Sequence, residues 1–241
     1  VNINNSNVRF NLSENVGGGI GAWEAALNID NSAIYQNDAL QNGAGIYIYN
    51  SANDNVYNFR NTTIYDNSTM MFGGGIYIGN YGGNITTNIQ NVTIAGNTSS
   101  ANTGNGLHLM STVSNTLYIQ NCIISNGTTS NYSTSGAGTI TVNRINTICR
   151  DNTMPYAGIF GNLNNTDPLF EDFGIFGGLT PVCRITSGSP ARNAGSSDFA
   201  APETDQRGAT REGTIDIGAF EWRTPLAESY TINNEISTTY P

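Results

Sequence analysis

The sequence holds a single histidine, His108, with no nucleophile motif beside it and no second histidine or cysteine at metal-ligand spacing. No catalytic residue, metal site or cofactor is assigned on this basis. Glycoside hydrolysis would need two carboxylates facing each other across one bond. Asp38 and Asp66 come nearest, yet they follow their repeat anchors (below) by four and by two residues and so do not share a column. Cys122, Cys149 and Cys183 give no zinc spacing and no CxxC pair. Cys122 reads as a buried free thiol, and a Cys149–Cys183 bridge is left open.

Aromatic rings offer a different chemistry, stacking against sugar rings. Tyr35 and Tyr65 follow one apolar column, Tyr47, Tyr77 and His108 follow another, and all five alternate to the outside. They form either a glycan platform or a ladder that shields strand edges. What must position them is a repeat. Val8, Ile34, Ile64, Ile94 and Ile124 form an anchor column, the last four spaced 30 residues apart. Asn31, Asn61, Asn91 and Asn121 precede the anchors by three residues, and Asn37, Asn67 and Asn97 follow them by three, the fifth copy departing with Gly127. Ile20, Ile46, Ile76 and Leu107 make a second apolar column at the end of glycine-rich runs.

A period of this length means stacked repeats. Around each anchor the apolar alternation is short, as for two brief strands meeting at a corner. Asparagine tolerates the left-handed corner conformation, and its amide can bond to the asparagine one coil above and below. Stacking at about 4.8 Å per coil turns each apolar column into a continuous core that one coil could not bury alone. The 28 glycines and abundant Asn and Thr oppose helix, so the fold class is all-β. The reading is a right-handed parallel β-helix, a solenoid of about eight coils with a C-terminal cap. Only 11% of residues are charged, lysine is absent and the net charge is −9, which argues against nucleic acid or an anionic membrane as partner. No window has the apolar length of a membrane span or the look of a signal peptide, so this segment is not expected to insert.

After the repeats the text changes. Asp167-Pro168-Leu169-Phe170, SGSPARNAG at 187–195, TDQRG at 204–208, Arg211 and DIGAFE at 216–221 fit no repeat column. This segment, about 167–221, resembles the end of bacterial parallel β-helix proteins of the choice-of-anchor Q type. That resemblance implies a secreted or cell-surface chain running on into an anchor or sorting domain. The repeats VRFN, IYQN, IYDN and IAGN, each followed by GGGI, GAGI or GNGL, are similar to those of polymorphic outer-membrane and autotransporter-like adhesins. The wider fold resembles pectate lyases, whose chemistry implies calcium-binding carboxylates and a base. Arg9 and Arg60 are the available bases, but arginine stays charged and no Asp-rich cluster accompanies them.

The domain reading is coils over 1–200, a cap over 201–222 and a linker over 223–241 towards a further domain. In the cap, Ile215, Ile217 and Phe220 are expected to cover the final coil, with Asp205, Arg207, Arg211, Asp216 and Glu221 locking it through an Arg207 or Arg211 contact to Asp216. The functional expectation is a non-enzymatic, extracellular or cell-surface module, adhesin-like or a rigid spacer, presenting loops to a glycan or a surface protein. The alternatives are a polysaccharide lyase or hydrolase, and a structural segment of a surface filament.

Overall fold

The computed structural model describes residues 1–127, 130–156, 158–198 and 200–223. The described residues contain no helix. Parallel strands stack coil on coil into a β-solenoid with four faces. The first sheet joins Asn2–Asn4, Leu27–Asp30, Val56–Arg60, Asn84–Gln90, Ser114–Gln120 and Thr139–Ile145 in that order. The second joins Asn7–Arg9, Ala33–Tyr35, Thr63–Tyr65, Thr93–Ala95, Ile123–Ser125 and Ile148–Cys149. Two-residue strands, from Leu12–Ser13 to Thr98–Ser99, make a third sheet of four. The fourth runs from Ile20–Trp23 through Ile46–Asn50, Ile76–Asn80 and Leu107–Ser111 to Tyr132–Ser135. Four turns carry all four faces, fewer than the eight coils expected, because the chain after 166 leaves the stack.

The registers follow the sequence columns. Ile34, Ile64, Ile94 and Ile124 are successive partners, as are Ile20, Ile46, Ile76 and Leu107. Their side chains, with Ile29, Phe59, Ile89 and Ile119 of the first sheet, fill the core.

The two asparagine columns do different work. Asn31, Asn61, Asn91 and Asn121 all take φ between 44° and 51°, the left-handed corner that asparagine tolerates best after glycine. Asn37, Asn67 and Asn97, as buried as Asn61, Asn91 and Asn121, form the continuous ladder. Asn37 Nδ2 donates to Asn67 Oδ1 at 2.9 Å, and Asn67 Nδ2 to Asn97 Oδ1 at 2.8 Å. The main-chain N–H of each asparagine donates to the same oxygen, at 3.1 and 3.0 Å. The fifth copy does not break the ladder: Asn126, one residue earlier than Gly127, accepts from Asn97 at 2.8 Å and passes the chain to Asn131. Glycine is needed opposite. A Cβ on Gly45 would stand 2.5 Å from the Gly75 carbonyl oxygen and 3.1 Å from the Asn67 amide nitrogen.

Closure of the stack differs from the expected cap. The inward column Ile3, Ile29, Phe59, Ile89, Ile119 ends in Arg144, buried where an isoleucine would otherwise stand. Its guanidinium donates to Asn164 Oδ1 at 2.6 Å and to the carbonyls of Thr147, Pro155 and Leu163. Residues 150–166 thereby close the last coil, with Met154 joining the core.

Residues 167–223 run back along the flank of the second sheet. Asn7 donates to the Leu179 carbonyl, Thr180 Oγ1 to Asn31 O, Asn61 to Thr204 O and Asn146 to Ala194 O. Thr204–Glu221 therefore lies on the side of the solenoid and not on its final coil. Ile217 and Phe220 are buried against Ile123 and Ile148, in a second core with Val182 and Ile185 of the antiparallel hairpin Phe170–Gly174 and Val182–Ile185. We call 167–223 the strap. The expected linker, 223–241, lies outside the described residues beyond Arg223.

Replacing Asn67 by leucine removes the acceptor of two Asn37 donors inside the core, so urea unfolding is expected to show a loss of about 3 kcal/mol or more. The exposed Asn152, changed to alanine, is expected to cost less than about 0.5 kcal/mol.

Candidate functional site

The candidate site residues fall into four places. The phenol and imidazole rings on the fourth sheet form a buried stack. Tyr47 lies on Tyr77 at 5.3 Å between centroids and 7° between planes, and Tyr77 on His108 at 5.3 Å and 10°. Phe72 stacks on His108 as well, at 5.0 Å. Tyr77 is 4% exposed and His108 1%. Burial pushes the Tyr77 phenol up. On the second sheet, Tyr35 and Tyr65 are covered by Phe173 of the strap, which stacks on Tyr65 at 4.1 Å. Tyr35, Tyr47, Tyr65 and Tyr77 thus turn their faces to neighbouring rings and not to a sugar. Outward alternation put them on the outer surface, but the rings of adjacent coils and the strap then cover them.

His108 Nδ1 lies 2.7 Å from Ser133 Oγ and Nε2 2.9 Å from Ser135 Oγ. Desolvation lowers its pKa to about 4, so at neutral pH the ring is uncharged and a weak base. Arg9 lies over the rings of Phe10 and Tyr35, and Arg60 pairs with Asp30 at 2.6 Å, which raises its pKa. Arg60, held charged in that pair, is not poised to take a proton.

The charged residues of 204–221 form a buried cluster that fastens the strap. Asp205 and Arg207 pair at 2.7 Å, and Arg211 Nη1 meets Glu221 Oε2 at 2.9 Å. Asp216 is not the arginine partner expected. Its carboxylate accepts from the main-chain N–H of Asn193 and Trp222, at 2.7 and 2.5 Å, while Arg211 reaches only its carbonyl. Burial raises the Asp216 and Glu221 carboxyls and lowers Arg211. Arg211 Nη2 also donates to Asn61 Oδ1 at 3.2 Å, and Thr63 Oγ1 to Gln206 Oε1 at 2.6 Å. Arg211 thereby divides the corner column: Asn61 bonds to Asn31 and Asn121 to Asn91, at 3.2 and 3.5 Å, while Asn91 Nδ2 has no partner among the described residues. The three cysteines are free and buried, so no Cys149–Cys183 bridge exists. Burial pushes the Cys122 and Cys149 thiols up to about 12.

The open concavity is on the outer face of the first sheet. Two adjoining hollows of about 350 and 420 Å³ share Asn58, Asn88 and Gln90. One wall is an amide ladder that sequence reading missed: Asn28 donates to Asn2 at 2.8 Å, Asn58 to Asn28 at 2.7 Å and Asn88 to Asn58 at 2.8 Å. Its signal is the recurrence of Asn28, Asn58 and Asn88 at the repeat period. Tyr118, 49% exposed, follows Asn88 in register, and Asn143 follows Tyr118. The other wall is Asp30, Arg60, Gln90, Gln120 and Ile145, with Ala200 of the strap alongside. Its only charges, Asp30 and Arg60, neutralise each other.

Among the described residues no three His, Cys, Asp or Glu side chains stand together as a metal site, and no helix is long and apolar enough to cross a membrane. Compared with protein-family models, with curated proteins and with solved structures, the chain finds no match.

The His108 environment fixes a pH dependence. Between about 4 and 6.5 the unfolded histidine binds a proton that the folded one refuses, so stability present above pH 6.5 is lost as pH falls towards 4, by on the order of 3 kcal/mol. His108→Tyr, which completes the tyrosine column, is expected to flatten that part of the denaturation profile.

Proposed function

We propose that this chain is a non-enzymatic secreted or cell-surface module, adhesin-like or a rigid spacer, that presents the groove of its first sheet to a glycan. The observation that carries the reading is the neutral amide wall, Asn28, Asn58 and Asn88, repeated once per coil beside a half-exposed Tyr118. Amide groups both donate and accept, as sugar hydroxyls do, and an aromatic face receives the apolar side of a pyranose. Rows at about the 4.8 Å strand spacing suit an extended polymer that meets equivalent groups in successive coils. The rigidity of the ladders means that little side-chain freedom remains to be lost on binding. The resemblance of the repeats to adhesins, and of 167–221 to choice-of-anchor Q proteins, points the same way for location.

The test is affinity electrophoresis against soluble polysaccharides together with a glycan array. At least one glycan is expected to bind, and Asn88→Ala and Tyr118→Ala are each expected to weaken it by about three- to tenfold. Absence of binding to every glycan, or binding indifferent to both substitutions, would overturn the reading.

A further inference from the structure

The outer face of the fourth sheet carries a second aromatic column beside the buried ring stack. Trp23, 53% exposed, is the register partner of Tyr49, and Tyr49 of Gly79. The place that Gly79 leaves empty is shared by Tyr81 and Tyr77: a Cβ on Gly79 would stand 3.0 Å from each ring. Tyr81, 39% exposed, packs beside Tyr49 with centroids 5.1 Å apart and planes tilted by 31°. Trp23 lies in the same way over Gly21, whose Cβ would fall within 2.2 Å of the indole, and its ring leans on Tyr47 at 5.6 Å. Two glycines thus let two large rings lie down on the sheet. Three rings from successive coils form a strip along the solenoid axis, with Tyr47 and Tyr77 in the neighbouring column of the same face.

The strip is held in place. Tyr81 N–H donates to the Asn50 carbonyl at 2.7 Å, and Thr112 Oγ1 donates to the Tyr81 carbonyl at 3.2 Å. Beside it, Glu24 fixes the turn after Asn50 by accepting from Ser51 N–H at 2.7 Å, Ser51 Oγ at 2.5 Å and Asn53 Nδ2 at 3.2 Å. Ordered rings lose little entropy when a flat ligand settles on them. The charged residues next to the strip in the chain are the half-buried Glu24 and the exposed Asp54, both carboxylates, on a molecule of net charge −9 without lysine. Anionic polymers are repelled there, and a flat, uncharged ring with an apolar face suits the site.

We infer that Trp23, Tyr49 and Tyr81 form a binding strip for a neutral polysaccharide, stacking pyranose rings along the solenoid axis. The site is separate from the groove of the first sheet and shares with that proposal only the class of ligand.

The chain's two tryptophans make the test specific. Trp222 lies under Arg192 at 3.9 Å, so Trp222→Phe keeps that packing and leaves Trp23 as the sole indole reporter. In that background the protein is titrated with mixed-linkage β-glucan, xyloglucan and glucomannan, and with polygalacturonate and alginate as acidic counterparts. Thermal unfolding of every variant is read alongside. At least one neutral polymer is expected to shift Trp23 emission. Tyr81→Ala and Tyr49→Ala are each expected to weaken binding about three- to tenfold, Tyr81→Phe to retain it, and Asn152→Ala, outside both sites, to leave it unchanged. An unmoved Trp23 emission, an equal response to acidic polymers, or full binding by Tyr81→Ala would overturn the strip. A polymer retained in the affinity gel that depends on Asn88 and leaves Trp23 silent would sink the strip and spare the groove. No binding by any polymer would sink both.

Discussion

Each buried asparagine of the interior ladder has to satisfy two donors of the coil before it and find acceptors for its own. Asn67 shows the arithmetic: its Oδ1 takes the main-chain N–H and Nδ2 of Asn37, while its own Nδ2 bonds to Asn97 Oδ1 and the Ile34 carbonyl. An unmet buried amide costs about 1–3 kcal/mol, so a slip in register would penalise several coils at once. Apolar columns tolerate small sliding, whereas this ladder does not. It also needs a terminus, and Asn131 N–H ends on Asp151 Oδ2 at 2.8 Å. Asp151 is buried and keeps its charge through bonds from Thr153 and Asn131, which hold its carboxyl below the usual range against desolvation.

Glycine is the ladder's counterpart. The runs that end in Ile20, Ile46 and Ile76 were legible as corners, but their second role is steric. At Gly19, Gly45 and Gly75 a Cβ would stand 3.0, 3.1 and 3.2 Å from the facing asparagine amide nitrogen, inside van der Waals contact. Asn and Gly columns therefore depend on each other, and the repeat keeps both. The same logic operates outside, where Gly21 and Gly79 make room for Trp23 and Tyr81.

Columns spaced by one period were readable because every coil solves the same packing problem. What was not readable came from departures. A fixed offset put Gly127 in the ladder, yet the loop there shortens and Asn126 takes the place. Arg144 occupies an apolar column because its coil is the last, and nothing in the alternation of ITVNRIN marks an end. Ile123 beside Ile124 was a usable sign: two adjacent apolar residues break the period of two, and both faces of that strand are in fact covered. Exposure of the tyrosines could not be had from alternation. It depends on what the neighbouring coil offers, a ring over Tyr47, or a glycine beside Tyr49.

The strap joins these parts. Its ionic cluster is nearly dry, and an ion pair in such surroundings contributes specificity of docking more securely than net stability. Arg211 interrupts the asparagine corner column at Asn61 and so registers the strap against one coil out of several similar ones. Gln206 at Thr63 and Gly218 against Thr93 and Ile123 continue that alignment upward. Further along, Gln120 donates to the Asp198 carbonyl at 2.9 Å, and Ala200 lines the groove of the first sheet. The strap thus reaches the rim of a groove whose walls are side chains of the first sheet.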